Sequence, residues 1–412
     1  MSIDQILIPD YIETLIYKYF KECGINEKAN IIVKPGVKPG DNWMGQILEI
    51  NVKVDNREEI SIIGKLAPTL QFFRDSFPVR SIYEREIYMY STILPEFLRM
   101  QQENNVISTF APFAKCYATH FEDKRETLLL ENMKKYGYRT VRHEVSVDYH
   151  HASLVMKSCA KLHALSFVFR TQNPDLFENM ISYLKKSTEI PESFCESVAN
   201  LAKIVLNGIE ENTQRYKALE RFVKHPSYMI DLMLQLETVK EYEVINHGDY
   251  QIRNILFKYS DDSNPTVPTD LCMLDWQLSV IGSPCLDISY FIWICTDKKF
   301  RDQHYLKLID LYYDTFSSFL FEFGGDPNKL YPRSVFEKHL KLFSIFGFFG
   351  ALYNVASNLA DFERVPNVFV EDSDKSLIRM FEEVANDSYY IRMYEIVEDF
   401  VKYGYSLSSD CI

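Results

Sequence analysis

The sequence predicts an α+β chain of two lobes, the first built on a small antiparallel sheet and the second mainly helical. Short β-rich runs dominate residues 29–133, and apolar residues recur at helical spacing over most of the remaining chain. The 412 residues are enough for two lobes with a sizeable core. We therefore expect an N-terminal lobe of residues 1–133 and a C-terminal lobe of residues 134–412.

The composition is that of a globular protein whose partners are not nucleic acids. Hydrophobic residues make up 47% of the chain and aromatic residues 14%. The net charge of −13 argues against binding to nucleic-acid phosphates or to anionic membranes. The eight cysteines are scattered without a C-x-x-C pair, so we expect free thiols and a cytoplasmic location; a disulfide framework is the alternative.

Two apolar segments have to be distinguished from targeting and membrane segments. Residues 1–20 have the pattern of an amphipathic helix and lack the basic start of a secretory signal. Residues 342–360 carry no charge, as in a membrane span, but Ser344, Asn354 and Asn358 would be costly in lipid. We interpret this segment as a buried core helix.

The predicted sheet begins with three short strands between residues 29 and 68. The turn between the first two contains Gly40, Asn42 and Gly45. A glycine-bearing turn of this kind can lay backbone N–H groups over phosphates. The glycines do not spell G-x-G-x-x-G, so an ordinary hairpin is an equal alternative.

A lysine and a glutamate of this lobe are candidates for an ion pair. Lys65 ends the third strand, where a kinase carries the lysine that binds the α- and β-phosphates. In the next helical stretch Glu86 shares an apolar face with Ile82, whereas Glu84 lies well round from it. An acid on an apolar face is costly unless it is paired, so we predict that Glu86 pairs with Lys65. Two solvated surface charges are the alternative.

Two further strands, predicted at residues 112–122 and 126–133, complete the sheet. The second ends where the chain turns polar and Gly137 appears, which suggests a hinge between the lobes. Helical spacing begins at about residue 145. His163 lies in this first helix, and we expect a core histidine with hydrogen-bond partners rather than a catalytic one.

The strongest pattern lies between residues 243 and 287. Apolar runs lead into His247-Gly248-Asp249 and into Asp275, and Asn254 follows Asp249 by five residues, as in the protein-kinase catalytic loop. We predict that Asp249, Asn254 and Asp275 meet at one point. Two carboxylates that cap turns around a hairpin are the alternative.

These three residues suit phosphoryl transfer, in which the protein mainly positions the reactants and neutralises charge. Asp249 would accept the proton of the attacking hydroxyl, while Asn254 and Asp275 would bind Mg²⁺ through oxygen atoms. Gly248 stands where protein kinases carry an arginine, and the segment between Asp275 and Asp287 is too short to dock a peptide. The pattern favours a small-molecule kinase, with Asp287 as a helix cap or an acid bound to the catalytic loop.

The order of the motifs resembles that of the ecdysteroid kinase-like family of arthropods. This family has a protein-kinase-like two-lobed fold and is related to choline kinases and aminoglycoside phosphotransferases. The resemblance covers nearly the whole chain and is carried by GDNWMG, REIYMY, LLLENM, KLHALSF, HGD with Asn254, LDWQLS, GSP and CLDISYF.

The resemblance implies a phosphotransferase that uses ATP and Mg²⁺ and acts on an alcohol, with an ecdysteroid or a hydroxylated xenobiotic as acceptor. It implies that the backbone of Glu131 and Met133 binds adenine and that the Gly40–Gly45 loop covers the phosphates. The remaining roles, as argued above, go to Lys65, Glu86, Asp249, Asn254 and Asp275.

The chain departs from the family pattern in ways that concern the acceptor and the nucleotide. Gln251 stands where the family commonly has an aromatic residue, Trp276 replaces a phenylalanine, and the hinge is Glu131-Asn132-Met133 rather than E-D-L. Two other functions stay open. A choline- or ethanolamine-type kinase would direct acids and aromatics at the acceptor. A non-catalytic protein could bind a hormone or lipid on the same fold.

Overall fold

The computed structural model describes residues 8–36, 45–141, 146–185, 192–224, 239–261, 266–359 and 387–407. It confirms the predicted α+β class, because an antiparallel sheet near the N-terminus is followed by a mainly helical remainder. Gly40 and Asn42 of the predicted phosphate loop lie outside the described residues.

The sheet has five antiparallel strands in the order β1-β2-β3-β5-β4. These strands are β1 (Ala29–Pro35), β2 (Gln46–Val54), β3 (Ile60–Leu66), β4 (Cys116–His120) and β5 (Thr127–Glu131). The predicted N-terminal helix is present as α1 (Asp10–Glu22) and covers one face of the sheet. That face is held by apolar contacts of α1 with β3 and its neighbours.

Side-chain alternation in β3 sends neighbouring residues to opposite faces of the sheet. Ile62 and Leu66 belong to the apolar cluster under α1. Lys65 directly precedes Leu66, so its side chain points to the opposite face. There it meets α3 (Val79–Tyr88), which follows the short α2 (Gln71–Ser76). A π-helical turn over Met89–Ile93 leads on to α4 (Leu94–Glu103).

The remainder of the chain is mainly helical, with two small antiparallel strand pairs set among the helices. The pairs are β6 (Val244–Asn246) with β9 (Val280–Gly282), and β7 (Ile255–Tyr259) with β8 (Pro268–Met273). The helices are α5 (Tyr149–Gln172), α6 (Pro174–Lys185), α7 (Glu192–Asn207), α8 (Gln214–Lys224), α9 (Cys285–Cys295), α10 (Lys298–Glu322), α11 (Pro327–Leu330), α12 (Arg333–Leu359) and α13 (Asp387–Tyr403).

Helices α5 and α12 are long and apolar enough to cross a membrane, judged on the described residues by length and composition alone. In each, 72% of the most apolar stretch is buried inside the protein. The uncharged part of α12 packs along α9, and a Cβ added at Gly350 would lie 2.5 Å from Cε2 of Tyr290. Residues 342–359 therefore form a core helix, as interpreted from the sequence.

Candidate active site

Lys65 and Glu86 form a buried ion pair between β3 and α3. The Nζ atom of Lys65 lies 2.6 Å from Oε2 of Glu86, and the residues are 7% and 1% exposed. Ile82, one turn earlier on the same face of α3, is also buried. Glu84 has a different partner, because its carboxylate accepts a hydrogen bond from the hydroxyl of Tyr183 at 2.7 Å.

Asp275 joins this pair to make a cluster of three charges. Its Oδ1 accepts a hydrogen bond from Nζ of Lys65, and its Oδ2 accepts one from Nε2 of Gln277 at 3.0 Å. Burial alone lowers the pKa of Lys65, but the carboxylates of Asp275 and Glu86 raise it above its ordinary value. The lysine therefore stays charged although it is almost fully buried.

The turn that carries Asp275 is tied to the predicted catalytic loop. Asp275 has a left-handed backbone with φ 65°, which is uncommon for a residue other than glycine, although aspartate adopts it more readily than most. The buried ring of Trp276 packs on His247 with 4.6 Å between centroids. The Nε2 atom of His247 donates to the carbonyl oxygen of Leu274 at 2.9 Å.

Asp287, in the first turn of α9, holds the predicted catalytic loop by its backbone. Its Oδ2 accepts the N–H of His247 at 2.7 Å, and its Oδ1 accepts the N–H of Gly248 at 2.9 Å. Of its two predicted roles, the structure thus shows the contact with the loop. Gly248 has φ 83°, and a Cβ there would lie 1.8 Å from the carbonyl oxygen of Leu278, so only glycine fits.

His163 has hydrogen-bond partners on both ring nitrogens, as expected of a core histidine. Nδ1 lies 2.7 Å from the hydroxyl of Tyr312, and Nε2 lies 3.3 Å from Oδ2 of Asp287. His163 and Asp287 form, with Cys159, a buried group of atoms able to bind a metal, all within 4.8 Å of one another. Because the oxygens of Asp287 already accept the N–H groups of the catalytic loop, we assign this cluster a structural role.

Asp249 and Asn254 lie side by side where the catalytic loop enters β7. The Nδ2 atom of Asn254 is 2.7 Å from Oδ2 of Asp249 and 3.0 Å from its carbonyl oxygen. The carbonyl oxygen of Asn254 accepts the N–H of Leu274 at 2.8 Å, which brings Asn254 next to Asp275. The structure thus gathers the three residues that the spacing singled out.

Two side chains that carried no predicted role also bind Asp249. The hydroxyl of Tyr290 and the Nε2 atom of Gln251 each donate to Oδ1 of Asp249 at 2.8 Å. Asn354 of α12 contacts both of these side chains. Burial and the nearby Asp275 raise the pKa of Asp249, although hydrogen bonds such as that from Tyr290 oppose the shift.

The sequence contained one signal for these additional residues. Gln251 stands out as a polar residue at a position that is commonly aromatic in the family that the chain resembles. Asn354 is one of several buried polar residues of α12, so its position in the sequence did not single it out. Tyr290 lies within CLDISYF, one of the motifs that carry the family resemblance, but no role was predicted for it.

The predicted nucleotide-binding residues are placed only in part. Gly45 lies against the backbone of Leu66, directly after Lys65, since a Cβ at Gly45 would be 2.2 Å from the carbonyl oxygen of Leu66. At the hinge, the N–H of Glu131 donates to the carbonyl oxygen of Lys115 at 2.8 Å, and the carbonyl oxygen of Met133 accepts from Tyr138 at 3.3 Å. The N–H of Glu131 is therefore engaged within the protein, and adenine would have to use other hinge groups.

Comparison with known proteins gives one family match. The model of the ecdysteroid kinase-like family matches residues 39–324. Among curated protein sequences, none matches this chain.

Three solved structures illustrate the structural similarity. An ethanolamine kinase of Plasmodium vivax has 13% identity and a TM-score of 0.42 over 95% of this chain and 93% of its own. An aminoglycoside phosphotransferase from Alicyclobacillus acidocaldarius has 10% identity and a TM-score of 0.41, with coverage of 96% and 97%. A microcompartment-associated aminopropanol kinase has 10% identity and a TM-score of 0.39, with coverage of 96% and 100%.

Proposed function

Because the chain belongs to the ecdysteroid kinase-like family and is a small-molecule kinase, we propose that it phosphorylates a hydroxyl group of an ecdysteroid or a related lipophilic alcohol. The phosphoryl donor in this proposal is ATP, used together with Mg²⁺. The observation that carries the proposal is the meeting of Lys65, held by Glu86, with Asp275 beside the Asp249–Asn254 pair. Phosphoryl transfer from a nucleotide needs a cation on its phosphates, oxygen ligands that hold the metal ion, and a base for the acceptor hydroxyl.

Lys65 supplies the cation for the phosphates in this proposal. Its ammonium is held by Glu86 and keeps its charge in a buried site, where an electrostatic contact is worth more than in water. Asp275 is 26% exposed at its side chain, in contrast to 1% for Glu86. The cluster therefore opens towards solvent at Asp275, which is where the phosphates would enter.

The oxygen atoms near Asp275 fit Mg²⁺. The amide nitrogen of Asn254 faces Asp249, which directs the amide oxygen away from it, and Asp275 offers a carboxylate that is partly exposed. Hard cations prefer such oxygen ligands. Asp275 and Asn254 would hold the ion, and the chemistry it supplies is neutralisation of charge on the phosphate oxygens.

Asp249 acts as the base in the proposed reaction. It orients the acceptor hydroxyl and takes its proton while the acceptor oxygen bonds to the γ-phosphorus and the bond from that phosphorus to ADP breaks. Its raised pKa, caused by burial and by Asp275, makes it a better proton acceptor than an exposed aspartate. The proton then passes from Asp249 to solvent.

The surroundings of Asp249 support a lipophilic acceptor that carries hydroxyl groups. Aromatic and amide side chains of α9 and α12 lie next to the carboxylate of Asp249. The ring of Tyr290 lies 5.7 Å from that of Phe346, and Tyr353 is half-buried next to Asn354. In our proposal residues 1–133 bind the nucleotide, residues 134–412 supply the base and bind the acceptor, and the reaction takes place in the cytoplasm.

The test is ATP consumption with Mg²⁺ over a panel of acceptors: an ecdysteroid, choline, ethanolamine and an aminoglycoside, each with an EDTA control. Metal-dependent turnover on the ecdysteroid alone is the expected result. Turnover on choline or ethanolamine alone would replace the lipophilic acceptor by a cationic one. ATP binding without turnover on any alcohol would favour a non-catalytic binding protein.

A further inference from the structure

The carboxylate of Asp249 is part of a closed ring of hydrogen bonds. Its Oδ1 accepts from the hydroxyl of Tyr290 and from Nε2 of Gln251, each at 2.8 Å. Asn354 closes the ring, because its Nδ2 donates to the hydroxyl of Tyr290 at 2.9 Å and its Oδ1 accepts from Nε2 of Gln251 at 3.3 Å. We call these four residues the Asp249 ring.

In each hydrogen bond of the ring, the donor and the acceptor are fixed by the other bonds of these residues. The Nδ2 atom of Asn354 also donates to the carbonyl oxygen of Gly350 at 3.0 Å, which fixes the orientation of this amide. The hydroxyl of Tyr290 accepts from Asn354, so its single hydrogen is left for Asp249. The two hydrogens of the Gln251 amide point to Asp249 and Asn354. Every ring donor next to Asp249 therefore converges on Oδ1.

The two carboxylate oxygens of Asp249 differ in how many of their acceptor positions are already used. An ionised carboxylate has about four acceptor positions, two on each oxygen. On Oδ1 both are used, by Tyr290 and Gln251. On Oδ2 the described residues supply one donor, Asn254 at 2.7 Å, which leaves one position among them unused. A substrate hydroxyl can therefore donate only to Oδ2 without breaking a bond of the ring.

We propose that Gln251, Tyr290 and Asn354 are positioning residues that hold the Asp249 carboxylate so that Oδ2 takes the proton of the acceptor hydroxyl. The proposal rests on the function proposed above. In this step the acceptor O–H bond breaks, its proton moves to Oδ2, the oxygen bonds to the γ-phosphorus, and ADP leaves with the electron pair of the broken P–O bond.

Two features show that the ring is more than ordinary core packing. Its members come from the catalytic loop, α9 and α12, which lie far apart in the sequence but meet at one carboxylate. The Oε1 atom of Gln251 is buried and has no hydrogen-bond partner among the described residues. An amide oxygen left in this way destabilises the fold, which an apolar side chain would avoid. Its presence is explained if the amide nitrogen is needed at Asp249.

The test compares turnover in three variants of the full chain. Y290F removes one donor to Oδ1, Q251M removes the other donor without adding a charge, and N354L opens the ring. We expect kcat to fall about tenfold or more, with little change in KM for ATP or for the acceptor, because a misplaced base affects only the chemical step. Adding N354L to Y290F should cost much less than the product of the two single effects, since both act through Asp249.

The matched control is Y389F. Tyr389 is also fully buried, and its hydroxyl donates to the carbonyl oxygen of Leu352 in α12 at 3.0 Å, so its loss disturbs the same helix without touching Asp249. We expect its kcat to stay near the wild-type value. A loss of kcat in Y389F equal to that in Y290F would overturn the proposal, as would normal kcat in Y290F and Q251M or an effect on KM alone.

Crystal structures separate this proposal from the proposed function. If the wild-type chain phosphorylates no alcohol, the proposed function fails, and the orientation of Asp249 still tests the ring. In Y290F and N354L the carboxylate should turn away from its wild-type orientation, whereas in Y389F it should not. An unchanged carboxylate in Y290F and N354L would overturn the ring as a positioning device.

Discussion

Replacing Lys65 by methionine removes the cation from two carboxylates at once. The loss of stability comes mainly from Glu86, whose side chain is 1% exposed and is left as an unpaired buried charge. The side chain of Asp275 is 26% exposed and can be hydrated. Removing one partner of a buried ion pair costs about 3–5 kcal/mol. With an unfolding entropy of about 2.1 cal/mol/K per residue, a loss of about 4 kcal/mol lowers the Tm of a chain of this length by about 5 °C.

The assay is thermal unfolding of K65M, E86Q and the double variant K65M/E86L beside the wild type. The Tm of E86Q should fall less than that of K65M, because Lys65 keeps Asp275 as a partner and the new amide oxygen at position 86 still accepts a hydrogen bond from Lys65. K65M/E86L should recover most of the loss, because no charge is left buried. Both variants that lack Lys65 should lose ATP-dependent turnover, which separates stability from function.

The pH dependence of K65M gives a second readout. Burial already raises the pKa of Glu86, and Lys65 opposes this shift, so without the lysine the pKa rises further. A carboxyl group whose folded pKa lies above its unfolded value loses stability as the pH rises through the folded pKa. The gap in Tm between K65M and the wild type should therefore be larger at pH 8 than at pH 5. Equal Tm gaps at pH 5 and pH 8 would refute a coupled buried pair. So would a fall in Tm for K65M/E86L equal to the sum of the separate effects at Lys65 and Glu86.

Three further predictions concern the base, the metal and a buried histidine. D249N should lower kcat by roughly 10²–10⁴-fold because the base is lost, and near-normal turnover would contradict the assignment. EDTA should abolish the rise in Tm that ATP and Mg²⁺ cause in the wild type, and D275N should show no such rise even with excess Mg²⁺. An equal rise in Tm for D275N and the wild type would exclude Asp275 as a ligand. Burial lowers the pKa of His339 to about 4, so the unfolded chain takes up its proton first and stability falls as the pH drops below about 6.5. H339Q should remove about 3 kcal/mol of this loss between pH 6.5 and pH 4, measured as Tm against pH, and parallel curves for the two proteins would contradict it.

The parts of the site that depend on local geometry could be predicted from the sequence. Asp249 and Asn254 are close because five positions of a tight loop return the chain on itself, and Asp275 lies in the turn that follows β8, the strand paired with β7. Glu86 could be chosen over Glu84 because helical periodicity decides which face of α3 is apolar. The two-lobed α+β class followed in the same way from strand and helix periods and is confirmed.

Sequence reasoning did not reach contacts that only tertiary packing creates. Tyr290 and Asn354 are separated from Asp249 by long stretches of chain, and no motif predicted a contact of either residue with the base. The engaged N–H of Glu131 is another example. It bonds to Lys115 beside a bulge of β4 on β5, and a register shift of this kind leaves no trace in the alternation of residue types.

The apolar helix α12 shows how composition and chemistry are connected in this protein. By composition its uncharged part resembles a membrane span, yet it is apolar because it is buried against α9. Gly350 lets the two helices approach closely, and Asn354 lies one turn further along the same face. The close approach brings the amide of Asn354 within 2.9 Å of the hydroxyl of Tyr290, which in turn binds Asp249. A polar residue in an apolar core helix is costly unless it has a partner, and Asn354 has its partners in Tyr290 and Gln251, where the helix meets the candidate base.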